Sequence, residues 1–356
     1  MNVRRLEWKN FRNLRSGEIV PCSGVNVIYG QNAQGKTNLL EAMWLFTGER
    51  SFRGAKDSEL VGSLEKTALL NMDFYSESRQ QTAEITISHG RRNLKLNGVS
   101  KNSCSALIGK FCAVVFSPEH LSLVRGGPAL RRNFIDSALC QLKPGYATLL
   151  SGYNRALFQR NALLKDIPRH AELMDTLEIW DQKICQFAEK IIHQRKSYIN
   201  VLREPAARFY SGISAKRESL LIDYRASTEN LFQDLCKKRG DDIANGYTSV
   251  GPHRDDMDVF VDGLNARSYA SQGQKRSAVL ALKLAEAELL SQMNGDKPVV
   301  FLDDVMSELD ASRQDYLLNH LTDFQVFLTC CEPVEMIPAT DKAMFLMENG
   351  TLAAKR

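Results

Sequence analysis

The sequence predicts an α/β head in which one sheet is assembled from both ends of the chain and a mostly helical lobe is inserted between them. Two observations carry that prediction. Strand-like runs ("VNVIYG", "LLNMDFY", "AEITISH", "RNLKLNGVS") give way near residue 120 to helical periodicity and return after about residue 240 as "TSVGPHRDDMDVFVDG", "KPVVFLDD", "FQVFLTCC" and "KAMFLMENGTL". The chain, at 356 residues, also exceeds the size at which single cores stop growing. The expected division is residues 1–120 plus 241–356 as the head, in which the returning strands resume the sheet, and residues 121–240 as the inserted lobe.

Each element has a local reason. The hairpin in "RNLKLNGVS" turns at Asn97-Gly98, a pair suited to a two-residue turn. The early strands are interrupted by one helix, "NLLEAMWLF", after a glycine loop. In the lobe, Leu173, Leu177, Trp180, Ile184, Phe187 and Ile191 step by three and four, which predicts a long helix; the stripe ends at Gln194, too short for a coiled-coil arm.

Composition is that of an ordinary globular protein, 44% hydrophobic and 25% charged. No signal-like run opens the chain and no long uncharged apolar stretch follows, so a cytoplasmic protein with no membrane partner is expected. The eight cysteines lack any C-x-x-C spacing and read as reduced, buried thiols. Net charge is uneven: residues 121–240 hold 20 Lys and Arg against 12 Asp and Glu, a net +8 in a chain of net +4. Solvated helix faces or a polyanionic partner would both produce that excess.

Three motifs carry chemistry. Gly30-Gln31-Asn32-Ala33-Gln34-Gly35-Lys36-Thr37 fits G-x-x-x-x-G-K-[ST] between a strand and a helix that continues with Asn38. Its backbone N–H groups can converge on phosphate oxygens, with Lys36 on the β- and γ-phosphates and Thr37 on Mg²⁺. "VVFLDD" ends a buried strand in two carboxylates, giving Asp303 a metal-side role and Asp304 the role of orienting water as general base. "SQGQKR" opens a second helix: Ser271 and Gln274 stand in capping-box relation, while Gly273 and Lys275 suit an anion, and local sequence leaves both readings open.

Together these residues resemble the ABC-type ATPase heads of the SMC-like family, and within it the bacterial recombination proteins. "LEWKNFRNL", "GKTNLLEA", "SFR", "FSPEHLSLVRGGPALRRNFID", "GPHRDD", "SQGQKR" and "FLDDVMSELD" carry the resemblance along the whole chain. It implies an ABC-type head with mixed sheets around the phosphate-loop core and no long coiled coil. It also implies that Ser271, Gly273 and Gln274 form a signature motif meeting ATP held by a second subunit. Ser307 to Asp310 would be the D-loop crossing that interface, and Asn10, Arg12 and Asn13 would lie beside the base and α-phosphate. Arg53 and Glu119 would serve equally as a structural ion pair and a helix start, and His253 and Arg254 of "GPHRDD" would brace the sheet. Asp304 stands where transporter-type heads carry Glu, so slow hydrolysis is expected. No histidine follows "FLTCC", leaving Thr329 as the nearest γ-phosphate sensor.

The implied protein is an ATP- and Mg²⁺-dependent homodimer and weak DNA-dependent ATPase. It would bind double-stranded DNA and single-strand/double-strand junctions and act with RecR and RecO in loading RecA, near the nucleoid. Arg131, Arg132, Arg155, Arg160 and Lys196 of the basic lobe are the candidate phosphate contacts. The other reading is an ABC-type motor serving a transporter.

Overall fold

The computed structural model describes residues 1–333 and 341–355, and its central feature is a six-stranded sheet. Its strands run in the order Thr351–Lys355, Lys342–Glu348, Val25–Tyr29, Val326–Cys330, Val299–Asp303 and Ala113–Phe116, all parallel except the first pair. Val25–Tyr29, Val299–Asp303 and Val326–Cys330 are buried at every position, because both faces of the sheet are covered. Ile28, Phe301 and Phe327 pack toward one core with Leu39, Leu40 and Met43 of the phosphate-loop helix, Lys36–Trp44. That core also takes Val3, Leu6, Leu70, Met72 and Ile85 from a second, antiparallel sheet of six strands spanning Asn2 to Lys101. Val27, Leu302 and Leu328 point the other way, into a core shared with the helix Gln272–Asn294 and the lobe.

The hairpin at Asn97-Gly98 forms as expected, both residues with positive φ and Leu96 paired with Val99. The long helix extends further than its apolar stripe suggested, over Met174–Ile213. The buried face continues beyond Gln194, through Arg195, Tyr198, Ile199, Leu202 and Ala206; its next member is an arginine, which interrupts the apolar pattern but not the packing. This helix lies against Tyr146–Asp166 and Gln272–Asn294 rather than leaving the molecule as an arm.

Sequence expectations about topology and about charge need correction. Asp256–Val261 does not resume the central sheet: it pairs with Leu220–Arg225, a strand inside residues 121–240, in a separate three-stranded sheet. The boundary at 240 therefore cuts a hydrogen-bonded pair. The second correction concerns charge. Arg160 is fully buried among Asp181 (2.6 Å), Asp242 (2.8 Å) and Thr248 (2.9 Å). Arg131 is buried as well, gripping both carboxylate oxygens of Asp256 at 2.6 and 3.0 Å. Neither reaches a DNA phosphate, so both leave the list of candidate contacts. Arg132 is half-buried and donates to the Asp255 carbonyl at 2.8 Å, while Arg155 and Lys196 are exposed.

Arg131, through Asp256, and a further buried arginine, Arg195, meet "GPHRDD", which takes a structural role. Arg195 bonds the Pro252 carbonyl (2.7 Å) and Asp136 (2.8 Å), and His253 Nδ1 meets the Tyr153 hydroxyl at 2.6 Å. Asp255 accepts from the Tyr224 hydroxyl and the Ser227 N–H. Gly251 has φ 124°, and a Cβ there would stand 2.8 Å from the Tyr153 oxygen, so only glycine fits. All eight cysteines are free thiols; Cys236 and Cys331 are exposed and Cys22 is half-buried, contrary to the expectation of uniform burial.

Glu49 joins the head to the lobe, its carboxylate accepting from Ser137 Oγ at 3.1 Å. Enclosure of this carboxyl group pushes its pKa from 4.5 up to about 8, against the opposing bond from Ser137. The folded protein thus holds the proton more tightly than the unfolded chain, so stability from this group is full below pH 4.5 and falls as pH rises towards about 8. In urea titrations, wild type should lose stability relative to Glu49→Gln between about pH 5 and pH 8. A difference that stayed constant with pH would contradict the burial of this carboxyl.

Candidate nucleotide site

The carboxyl ends of Val25–Tyr29, Val299–Asp303 and Val326–Cys330 meet at one edge of the central sheet, where a ligand crevice of an open α/β sheet forms. A cavity of about 630 Å³ opens there. From the phosphate loop its wall takes Asn32, Ala33, Gly35, Lys36, Thr37 and Asn38; Arg12, Asn13, Arg53, Asp304 and Thr329 complete much of the remainder. Gly30, Gln31 and Gln34 form the loop's frame. Gly30 has φ 151°, and a Cβ would lie 2.2 Å from the Met347 carbonyl oxygen. The Gln34 carbonyl accepts from the Gly350 N–H at 3.1 Å, tying the loop to the hairpin that ends the sheet.

Lys36 is buried, and its ammonium donates to the carbonyls of Gly30 (2.5 Å) and Gln31 (2.9 Å). The loop thus holds a cation beside the N-terminus of its helix, whose N–H groups add partial positive charge. Thr37 Oγ1 donates to Asp303 Oδ1 at 2.8 Å. Thr329 Oγ1 donates to the same oxygen at 2.9 Å, and the Asp304 N–H donates to Thr329 Oγ1 at 2.9 Å. Burial holds the Asp303 pKa above the usual carboxylate value, against the two hydroxyl bonds. Asp304 is half-buried with φ 52°, a left-handed conformation rare for a residue with a side chain.

Arg12 lines the cavity, but its guanidinium is paired with buried Glu41 at 2.5 and 2.8 Å. Asn13 bridges the Ala33 carbonyl (3.0 Å) and Asn38 (2.6 Å), and Arg53 bonds the other side of Asn38 at 2.9 Å. Asn10 donates to the Thr67 carbonyl and Glu119 is exposed at the start of a turn; neither is part of the cavity wall. Sequence reasoning missed Glu59, Val61 and Ser63, which form wall opposite the loop on a segment with no motif of its own. The pairing of Arg12 N–H with the Leu60 carbonyl and of Gly62 N–H with the Asn10 carbonyl brings that segment to the site.

The structure answers the capping question at Ser271. Its hydroxyl accepts from the Gln274 N–H at 3.2 Å, and Gln274 Oε1 accepts from the Ser271 N–H at 2.7 Å, so both halves of the box form. Ser271 remains exposed at the helix start. Asp310 caps the next helix, Ala311–His320, by accepting from the Arg313 N–H at 3.0 Å, and Ser307 Oγ donates to the Asp304 carbonyl at 2.9 Å. Arg313 joins these segments: its guanidinium contacts Asp310, Ser277 Oγ (2.9 Å) and the Gly273 carbonyl (3.3 Å).

A parallel-sheet core with a phosphate loop, paired aspartates at the end of the next strand but one and a capped second helix define an ABC-type ATPase head. The family model described as "RecF/RecN/SMC N terminal domain" matches residues 2–352. The chain belongs to the RecF family. It is 40% identical over 333 residues to the DNA replication and repair protein RecF of Agathobacter rectalis, covering 93% of this chain and 92% of the relative. A solved structure described as the recombination mediator protein RecF-ATP in the RecFOR pathway superposes with TM-score 0.91 at 36% identity, covering 100% of this chain and 98% of that one. The Smc head domain of Pyrococcus furiosus, with an extended coiled coil and bound to ScpA, shares the fold at TM-score 0.57 and 16% identity, over 99% and 96% of the two chains. The transporter-motor reading finds no support among these relatives.

Replacing Lys36 by Ala removes the loop's buried cation. Titration calorimetry should show affinity for a nucleoside triphosphate lowered about a hundredfold or more, the cost of leaving a buried charge unpaired being about 3–5 kcal/mol. Unchanged affinity would show that the triphosphate does not sit on this loop.

Proposed function

We propose that the chain is an ATP-controlled DNA-binding protein of recombinational repair and replication. It works as a homodimer on double-stranded DNA near single-strand gaps, with RecR and RecO, to load RecA, and slow ATP hydrolysis resets it. The observation that carries this reading is the single cavity that gathers Lys36, Thr37 and Asp304 over the Asp303 carboxylate, in a chain whose relatives are named for DNA replication and repair. A relative's description as RecF-ATP supports ATP as the nucleotide.

The phosphates of ATP would lie on the N–H groups from Asn32 to Thr37, with the Lys36 ammonium moving from the Gly30 and Gln31 carbonyls onto the β- and γ-phosphates. Thr37 Oγ1 and Asp303 Oδ1, 2.8 Å apart, are a pair of hard oxygen donors that suits Mg²⁺, an ion that takes one or two protein ligands beside substrate phosphates. When bound, Mg²⁺ neutralises charge on the β- and γ-phosphate oxygens. Asp304 orients the attacking water and takes its proton; its side chain is one carbon shorter than Glu, which accounts for slow turnover.

Each composite site would combine Lys36, Thr37, Asp303 and Asp304 of one subunit with Ser271, Gly273 and Gln274 of the other. The exposed start of Gln272–Asn294 gives the partner's γ-phosphate a capped helix N-terminus. Ser307 and Asp310 would cross the same interface. Because ATP binds between subunits, ATP favours the dimer and hydrolysis releases it. The exposed cations Arg155 and Lys196 remain the candidate DNA contacts, with half-buried Arg132 at their margin. We place the protein in the cytoplasm, associated with the nucleoid.

A Ser271→Arg variant tests nucleotide, dimer and substrate together. It should bind ATP as a monomer, neither dimerise nor hydrolyse it, and lose the preference of wild type for gapped over uninterrupted duplex. Normal ATP-dependent dimers of this variant in equilibrium sedimentation would rule out the trans signature. Wild-type affinity for DNA that stayed flat as salt rises would rule out phosphate contacts.

A further inference from the structure

We propose that Thr329 is the positioning residue that sets both aspartates of the hydrolytic pair, and that it is not itself a γ-phosphate sensor. The inference rests on the ATPase reading above. Thr329 is 1% exposed, at the end of Val326–Cys330, the strand lying between the phosphate-loop strand and the one that ends in Asp303. Its hydroxyl owns one hydrogen, and that hydrogen is given to Asp303 Oδ1 at 2.9 Å. While that bond stands, the hydroxyl has nothing to donate to a phosphate oxygen.

The oxygen of the same hydroxyl accepts the Asp304 N–H at 2.9 Å. Asp304 is held with φ 52°, where a residue with a Cβ is strained and persists only when its surroundings fix it. One hydroxyl thus holds the same Asp303 oxygen that Thr37 holds and anchors the backbone that aims Asp304 into the cavity. Two adjacent strand ends and the start of the phosphate-loop helix are tied at a single point. Valine has threonine's shape without the hydroxyl, so Thr329→Val deletes both bonds with little change in packing, and Thr329→Ser keeps them.

The test compares wild type, Thr329→Val and Thr329→Ser in three measurements, with thermal unfolding as a check on folding. These are ATP affinity in EDTA, steady-state hydrolysis against Mg²⁺ and ATP, and amide exchange at Asp304 in nucleotide-free protein. Thr329→Val should keep metal-free ATP affinity and lose about 10- to 100-fold in kcat, the usual effect of removing a supporting hydrogen bond behind a metal-side carboxylate. It should need more Mg²⁺ for half-maximal rate, and its Asp304 amide should exchange faster. Thr329→Ser should resemble wild type in all three.

Wild-type kcat in Thr329→Val, or failure of Thr329→Ser to restore it, overturns the proposal. So does a loss of metal-free ATP affinity as large as the loss of kcat, which a direct phosphate ligand would give. If wild type itself hydrolyses no ATP, the ATPase reading fails instead, and amide exchange at Asp304 still decides the role of Thr329. Should Thr329→Val unfold, Thr329→Ala removes the same hydroxyl and carries the comparison.

Discussion

A hydrogen bond of 2.8 Å between Thr37 and Asp303 joins residues 266 apart in sequence, and most of the architecture serves to make it possible. It requires Val25–Tyr29, Val326–Cys330 and Val299–Asp303 to lie side by side and parallel, so that three loops leave the sheet at the same edge. Parallel neighbours cannot be joined by tight turns, and every connection must cross a face of the sheet. Those crossings bury the sheet on both sides, which is why these strands are apolar throughout rather than alternating. The antiparallel sheet covers one face, and the helix Gln272–Asn294 with the lobe behind it covers the other.

The lobe's positive charge has a different meaning once its partners are placed. Arg131, Arg160 and Arg195 hold Asp256, Asp181, Asp242 and Asp136 in the interior. Asp242 and Asp256 lie beyond residue 240, so a count confined to residues 121–240 includes the cations and omits part of what neutralises them. Buried ion pairs give little net stability, because desolvation offsets attraction, but an unpaired member is costly. Their effect here is geometric: Arg131 and Arg195 tie helices of the lobe to "GPHRDD", and Arg160 ties its own helix to Asp181 and Asp242. Free charge for a polyanion is correspondingly confined to exposed side chains such as Arg155 and Lys196.

What the sequence made legible was local. The phosphate loop, the strand ending in Asp303 and the Ser271 capping box each declare themselves within about ten residues, because backbone conformation and hydrogen-bond chemistry there are set by near neighbours. Leu220–Arg225 escaped notice because it is short and lies in a helical region, and its alternation makes sense only beside Asp256–Val261. Arg195 hid the continuation of the long helix, since a buried arginine is recognisable only by its partner Asp136. The wall formed by Glu59, Val61 and Ser63 depends on pairing with residues 10–12, and the role of Thr329 on strand order. Neither pairing nor order is written in any single segment. The whole-chain resemblance supplied the fold, but it could not say which arginines face outward.

Within one chain, a short succession of contacts runs from Asp304 to the exposed start of the helix Gln272–Asn294. The Asp304 carbonyl accepts from Ser307, three residues before Asp310; Arg313 contacts Asp310 and reaches the Gly273 carbonyl and Ser277. Arg276 and Glu308 pair beside it at 2.6 Å. The segment after Asp304 and the start of Gln272–Asn294 are therefore held together, and neither shifts without straining bonds to the other. In a two-fold dimer of the proposed kind, that assembly carries a subunit's own general base at one end and the contact to its partner's ATP at the other. Chemistry in one site then bears on the geometry of the second through bonded protein groups rather than through solvent, which is the physical requirement for two ATP sites to open as a unit.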